Sequence, residues 1–488
     1  MTALDWIVVV AYMLAMLGVG EYYSRRNKST EDYLLGGRNL GTTSVGLSLF
    51  ASLLSTISYL AIPGEMIKHG PMIFADILTY PLVYFIVGWL LIPRFMALNV
   101  ATAYQPIEAR LGLGMRLLGS VLFLSIRLLW MGVIVYVTAK QILVPLMGLH
   151  EYATPLVCIA MGVVTVIYTS VGGLQAVVIT DAVQSLILLA GAVLTLVCVS
   201  ISIGGPNQWL PTEWPEHWDH FELGFQANAR VTVLATCISG LLWWLCTAGS
   251  DQMAIQRYLS TRDAQAARRA LAVSLLATAL STVLLAAVGL AVLAYFKVHS
   301  SALPAGADIV QNADALFPRY IVVGFVPGVT GTVIAGLIAA AMSSLSSGIN
   351  SSCSVIAVDF LDRLGRGTRS EAGHLRHTKA ISWAVGSFAV IASTFVGFIE
   401  GSLLELCYKA VNLLVAPLFL IVFMTMCVPW ATARGTLAGV VVSTIVAAGI
   451  AYGDWFGLSF LWILPASFAA GALVAVALDL ALPGRRRT

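Results

Sequence analysis

Apolar runs of about 20 residues, each long enough to cross the hydrocarbon core of a bilayer as a helix, recur from one end of this 488-residue chain to the other with only short polar gaps between them. Inside hydrocarbon every backbone N–H and C=O must be bonded within the segment, so this pattern dictates an all-α polytopic membrane protein. Composition agrees: 10% of residues are charged and 59% hydrophobic, where a soluble domain carries about a quarter charged. Thirteen spans are expected, near 5–23, 45–66, 73–97, 117–146, 152–170, 174–204, 229–251, 267–297, 329–358, 377–399, 404–427, 435–453 and 458–482. The first begins at Asp5 rather than a basic patch and precedes Arg25, Arg26 and Lys28, so it reads as a retained helix and not a cleaved signal.

The distribution of basic residues sets an expected orientation, because cytoplasmic loops hold the excess of Lys and Arg. With the N-terminus outside, the outer gaps carry Lys68, Arg230, Lys297 and Arg319; Arg127, Lys140 and Lys409 fall within spans, and the other 20 of the 27 basic residues lie inside, ending in Arg485, Arg486 and Arg487. The expected location is therefore the plasma (bacterial inner) membrane with the C-terminus cytoplasmic. The net charge of +3 reflects this topology and not a nucleic-acid partner. All seven cysteines lie in apolar segments without a CxxC pair, and the histidines show no HExxH spacing, which leaves disulfide frameworks, structural zinc and metal-assisted hydrolysis without support. The longest outer loop, about 205–228, holds Trp209, Trp214 and Trp218, either as headgroup-level rings or as a lid.

Two spans differ from their neighbours. The second, GLSLFASLLSTISYLAIPGE, is dense in Ser and Thr, and the seventh, ISGLLWWLCTAGSDQ, thins into small and polar residues. They would open two five-helix repeats, 45–204 and 229–427, between a leading helix (5–23) and two C-terminal helices (435–482), the whole forming a single membrane transport domain. Five crossings separate the two starts, so the repeats run in opposite senses, the arrangement in which broken helices expose carbonyls to ions at mid-membrane. Close packing by small residues is the plain alternative.

Several segments then resemble the sodium/solute symporter family, in that family's order. Glu31-Asp32-Tyr33-Leu34-Leu35-Gly36-Gly37-Arg38 is similar to its D-Y-F-L-x-G-R stretch; Ser48 to Ser55 gives S-x-F-A-S-x-x-S, followed by Pro63 and Glu65. Thr102-Ala103-Tyr104 with Glu108 and Arg110, Tyr168 to Gly173, Val178-Ile179-Thr180-Asp181 with Gln184, Ser250-Asp251-Gln252 with Gln256-Arg257, and Ala339 to Ser347 complete the run. The resemblance implies a five-plus-five inverted-repeat fold and sodium-coupled import of a small solute by alternating access.

It also implies a sodium site built from the backbone carbonyls of Ala51, Leu54 and Ala340 and the hydroxyls of Ser343 and Ser344. Oxygen donors of modest charge suit such a hard monovalent cation. Positions 340, 343, 344 and 347 share one helix face, although a Ser/Ala-rich helix that only packs tightly is the competing reading. Some family members pair the aspartate at Asp181 with serines corresponding to Ser346 and Ser347 as a second sodium site; a structural ion pair of Asp181 with Arg127 is the alternative.

The solute pocket is less legible. Where sugar carriers of the family place polar groups, this chain has Ser58, Ile77, Trp244, Thr278 and Lys409, a set that does not suit a polyol. Ser55 and Thr247 complete the candidate solute contacts. Trp130 stands where sialic-acid carriers hold a carboxylate-binding Arg, with Arg127 one turn away. Lys409 is either an anchor for a substrate carboxylate or the partner of Glu405 one turn before it. The span around Leu129 to Tyr136 is closest to the branch carrying small anions and monocarboxylates, which points to a small organic anion. Trp130, Trp243 and Trp244 would form an aromatic floor, and Asp76 would lie on the access path. A channel would need a continuous polar path, an intramembrane enzyme a nucleophile and base, and a transporter-like sensor an appended signalling domain; the sequence supplies none of these. Proton coupling through Asp181, or carriage of an amino acid, is the nearest rival. Apart from the bilayer, sodium and the solute, no obligatory partner is expected.

Overall fold

The computed structural model describes the chain except for residues 99, 227–228, 304–307, 366–369, 397–402 and 482–488; the side chains of 403–410 also lie outside the described set. All regular structure among the described residues is helical. Each expected span has a helical counterpart. The leading helix is α1 (Ala3–Ser24), and the short α2 (Thr30–Leu35) follows it. The second span is α3 (Thr42–Leu53) and α4 (Thr56–His69), bent by 68° at the break. Next come α5 (Met72–Ala97), the short α6 (Gln105–Leu111) and α7 (Leu113–Leu146).

The helix Thr154–Ile203 turns at Gly173 (φ 62°, ψ −162°), which divides it into α8 (154–172) and α9 (174–203). Only glycine fits there: a Cβ at Gly173 would stand 2.7 Å from the Tyr33 ring, in a backbone region L side chains avoid. The second half contains α10 (Val233–Ser250), α11 (Gln252–Leu259), α12 (Ala264–Val298), the short α13 (Ala313–Val323), α14 (Val329–Asp362), α15 (Glu371–Phe395) and α16 (Leu403–Cys427). The last two helices are α17 (Ala433–Gly453) and α18 (Phe460–Ala481). The architecture is thus a leading helix, a five-plus-five core and two C-terminal helices.

Burial separates the centre of this bundle from its rim. In α14, 94% of the most apolar window is buried, against 28% in α1, so α14 is the central post and α1 an outer stave. Small residues on α14 permit close approach: a Cβ at Gly331 would come within 2.6 Å of the Asp5 backbone, and one at Gly348 within 2.5 Å of Met131 Sδ. Asp5 has a structural use here, accepting the Gly328 and Gly331 N–H groups at 2.8 Å and capping the start of α14 from another helix.

Ion pairs tie both ends of the bundle. At one end Asp359 of α14 accepts Arg116 (2.6 Å) and Thr102 (2.8 Å), and Glu108 accepts Arg116 (2.8 Å) and Arg363. These two guanidinium groups hold the Glu108 carboxyl down from the usual 4.5 to about 2. At the other end Lys68 meets Asp314 (2.5 Å), and Arg230 bridges Glu65 (2.6 Å) and Asp219 (3.2 Å). The long loop docks on the end of α4: Asp219 N–H donates to His69 C=O, and the Trp218 ring covers Gly70. Trp209 instead donates to Ser200 at 2.9 Å.

Candidate functional site

The break between α3 and α4 is encoded by Leu54-Ser55. Leu54 (φ −86°, ψ 111°) leaves the helix, and Ser55 (φ −95°, ψ 164°) caps α4 with its Oγ accepting the Ser58 N–H at 3.2 Å. Because α3 ends at Leu53, the carbonyls of its last turn, Ala51 among them, lack an intrahelical donor. Leu54 C=O loses its ordinary partner as well, since Ser58 N–H is taken by the cap.

Two contacts clamp this break across α14. Ser52 Oγ lies 2.8 Å from Ser347 Oγ on one side, and Thr56 Oγ1 donates to Leu337 C=O at 3.0 Å on the other. Between those registers α14 carries Ala340, Ser343 and Ser344, so the two stretches named from sequence are brought face to face. Ser344 Oγ is buried with no hydrogen-bond partner among the described residues. Ser343 Oγ is already used: it donates to Asp181 Oδ1 at 2.7 Å.

Asp181 lies on α9 and is fully buried. Its Oδ2 accepts Ser48 (2.6 Å), Ser347 (3.2 Å) and Arg257 (3.0 Å). Arg257 is buried too, and also donates to Ser48, Ser347 and the Met253 carbonyl. Sequence reasoning offered Arg127 as the aspartate's structural partner; that pairing is corrected here, because Arg127 bonds Asp251 instead. The ordered QR at 256–257 was visible in the sequence, but nothing in it revealed that α11 folds back to bring Arg257 against α9. Ser347 is at Asp181, whereas Ser346 Oγ turns back to the Ser343 carbonyl at 3.0 Å.

The second break lies between α10 and α11, at Asp251 (φ −76°, ψ 123°). Its carboxylate caps α11 by accepting the Met253 N–H at 2.8 Å, and the other oxygen receives Arg127 of α7. Arg127 Nε is buried and has no partner among the described residues.

A cavity of about 700 Å³ lies between the two breaks. Of the candidate solute contacts, Ser55, Ser58, Trp130 and Thr247 line it. Ile77 and Trp244 do not: Trp244 is 2% exposed and packs edge-on against Tyr80 at 5.2 Å. Thr278 is likewise absent from the lining, its hydroxyl bonded to Ser274 C=O. The side chain of Lys409 lies outside the described residues. The aromatic wall is therefore Trp130 and Trp243, with Phe460 from α18. Arg127, Asp251, Asp76, Thr236 and Asn412 add polarity, and Asn412 and Phe460 carried no signal in the sequence because only packing brings α16 and α18 to the cavity. Among the described residues no cluster of His, Cys, Asp and Glu is arranged to hold a metal ion by side chains alone.

Comparison with known proteins agrees with this geometry. The chain is 27% identical to the sodium/sialic acid symporter SiaT of Proteus mirabilis, over 94% of this chain and 92% of that protein. It is 28% identical to the sodium-coupled monocarboxylate transporter 1 of Mus musculus, over 93% of this chain and 73% of that one. The solved structure of a Na⁺-coupled sialic acid symporter, in a substrate-bound outward-open state, superposes with a TM-score of 0.84 at 25% identity, covering 99% of this chain and 98% of the other. The nucleobase-cation symporter MHP1 superposes with a TM-score of 0.53 at 14% identity over 92% and 93% of the two chains, a likeness of fold alone. The model of the sodium:solute symporter family matches residues 33–443, and the chain belongs to that family as a sodium-coupled symporter, a transporter and not an enzyme.

Proposed function

We propose that this protein imports a small carboxylate-bearing solute, a monocarboxylate or related organic anion, together with sodium. The observation that carries the anion reading is Arg127: it is the one basic side chain lining the cavity among the described residues, and its buried Nε has no partner. A carboxylate is the natural acceptor for the open edge of a guanidinium. Trp130 and Trp243 would receive the apolar body of the solute. Lys409 keeps its place in this proposal as a second anchor.

Sodium is the co-transported substrate. Its proposed ligands are the carbonyls of Ala51, Leu54 and Ala340 and the hydroxyls of Ser343 and Ser344, with Ser344 Oγ supplying the open position. A second ion at Asp181, Ser346 and Ser347 would have to share the carboxylate with Arg257. Sodium bridging α3/α4 to α14 stabilises the state in which the solute site is complete, and coupling follows because the ion favours that state over the other. Thr236, near the start of α10, lines the cavity at the end opposite Asp251. We assign that end to the outside and the Glu108–Arg116–Asp359 end to the cytoplasm, as the basic loops require.

The test is uptake into proteoliposomes with sodium and proton gradients imposed separately, using a panel of monocarboxylates, sialic acid and uncharged sugars. Sodium-driven uptake of carboxylates that Arg127→Gln abolishes is the expected result. Sodium-driven uptake of uncharged solutes alone overturns the anion reading, and uptake indifferent to sodium overturns the ion site.

A further inference from the structure

The cavity has two poles. At the inner pole Arg127 is engaged by Asp251 and keeps a free edge. At the outer pole stands Asp76, a carboxylate of α5 that lines the cavity and has no basic partner within ion-pair distance among the described residues. Its hydrogen-bond donors are all uncharged: the Tyr80 hydroxyl at 3.4 Å, the Trp244 indole N–H and the Ile77 backbone N–H. Lys409 is not part of this charge count.

The outer pole is built into the helix packing. A Cβ at Gly240 would lie 2.4 Å from Asp76 Cβ, so α10 must have glycine where α5 crosses it with this aspartate. One turn earlier on the same face, Thr236 lines the cavity; it is 3% exposed, and its Oγ1 has no hydrogen-bond partner among the described residues. Ser239 adds a further hydroxyl. The pole therefore offers one negative charge and oxygen acceptors, of which the Thr236 hydroxyl is a buried polar atom left open, a costly condition unless a ligand meets it. Proton donors with a positive charge answer that chemistry.

Arg127 meets α10 at its end, where Asp251 follows Ser250, and Asp76 meets it at Gly240. That stretch of helix is about 15 Å long at 1.5 Å per residue, which places the two charges toward opposite ends of the cavity. We infer that the solute is an elongated zwitterion, its carboxylate on Arg127 and a protonated amine on Asp76 and Thr236 at the other end. This rests on the carboxylate of the reading above and departs from its net anion, because the second charge makes the solute neutral overall.

The test uses the full chain in lipid nanodiscs at saturating sodium. Binding of ω-amino acids from 3-aminopropanoate to 8-aminooctanoate is measured beside that of the plain carboxylate of the same length, propanoate to octanoate, and beside α-amino acids. At the matching length the ω-amino acid binds at least about 10-fold tighter than its plain counterpart, a difference of roughly 1.4 kcal/mol. Asp76→Asn brings that ratio within about 2-fold, Thr236→Val lowers it, and Asp76→Glu retains part of it. Equal affinity within every pair, preference for α-amino acids, no binding by any ω-amino acid, or a ratio that survives Asp76→Asn each overturns the inference. If plain carboxylates bind through Arg127 without an amine advantage, only the second charge is lost; if uncharged solutes alone bind, the carboxylate reading falls with it.

Discussion

The two helix breaks occupy corresponding places in opposite halves of the core, yet they are chemically unlike. The α3–α4 break is neutral: its cap is the Ser55 hydroxyl, and Ser52 just before it meets Ser347 of α14. The α10–α11 break is charged: its cap is the Asp251 carboxylate, paired with Arg127. Neutral oxygens held by backbone geometry suit a bare monovalent cation, which needs several weak donors. A charge pair at a cavity wall suits a solute that brings charge of its own. In the function proposed above, the same backbone device, a helix interrupted in mid-span, serves two ligands through the side chain that caps it.

Exchanging the caps breaks this comparison most severely at Asp251. Asp251→Ala removes the α11 cap and leaves Arg127 partly buried without a carboxylate, and should cost about 3 kcal/mol or more of stability with loss of solute uptake. Chemical denaturation in detergent, read beside uptake, checks it; a variant as stable as the wild type would show the pair to be ornamental. Ser344→Ala sharpens the neutral side: it should raise the sodium needed for half-maximal uptake roughly 10-fold, and a sodium curve superposable on the wild type would place the ion elsewhere. Ser55→Ala removes a neutral cap and should cost about 1 kcal/mol, a third of the Asp251 effect. Costs of equal size would erase the distinction between the breaks.

The smallest effect lies away from both breaks, at the inner ion-pair cluster. Glu108 has a folded value near 2, below its usual 4.5, because of Arg363 and Arg116. Its contribution to stability is therefore complete above about pH 4.5 and fades as the pH falls toward 2. Thermal melting between pH 6 and 3 should show a loss that Glu108→Gln abolishes; an identical acid slope in that variant would assign the loss to other carboxylates.

The number and type of spans were legible because bilayer thickness acts on contiguous sequence: a run such as 267–297 must be helical wherever it lies. The serines of span two and of Ala339 to Ser347 were legible because polar residues are costly in hydrocarbon and stand out against it. Pairing of distant charges was not. The sequence offered Arg127 as the partner of Asp181, and only the return of α11 against α9 assigns Arg257 to it and Arg127 to Asp251. Trp244 and Ile77 show the same limit, since adjacent positions on a helix point about 100° apart. A shift of one residue decides whether Trp243 lines the cavity or Trp244 packs on Tyr80.

By itself, then, the sequence determined a helical membrane carrier, two weak points in its helices and an oxygen-rich seam, because hydrophobic length and the cost of buried polarity are local properties. Tertiary structure alone decided which charges neutralise one another, which hydroxyls remain open and what shape of cavity lies between the breaks. These depend on helices hundreds of residues apart meeting at particular registers, and the periodicity of a single strand of chain carries no record of them.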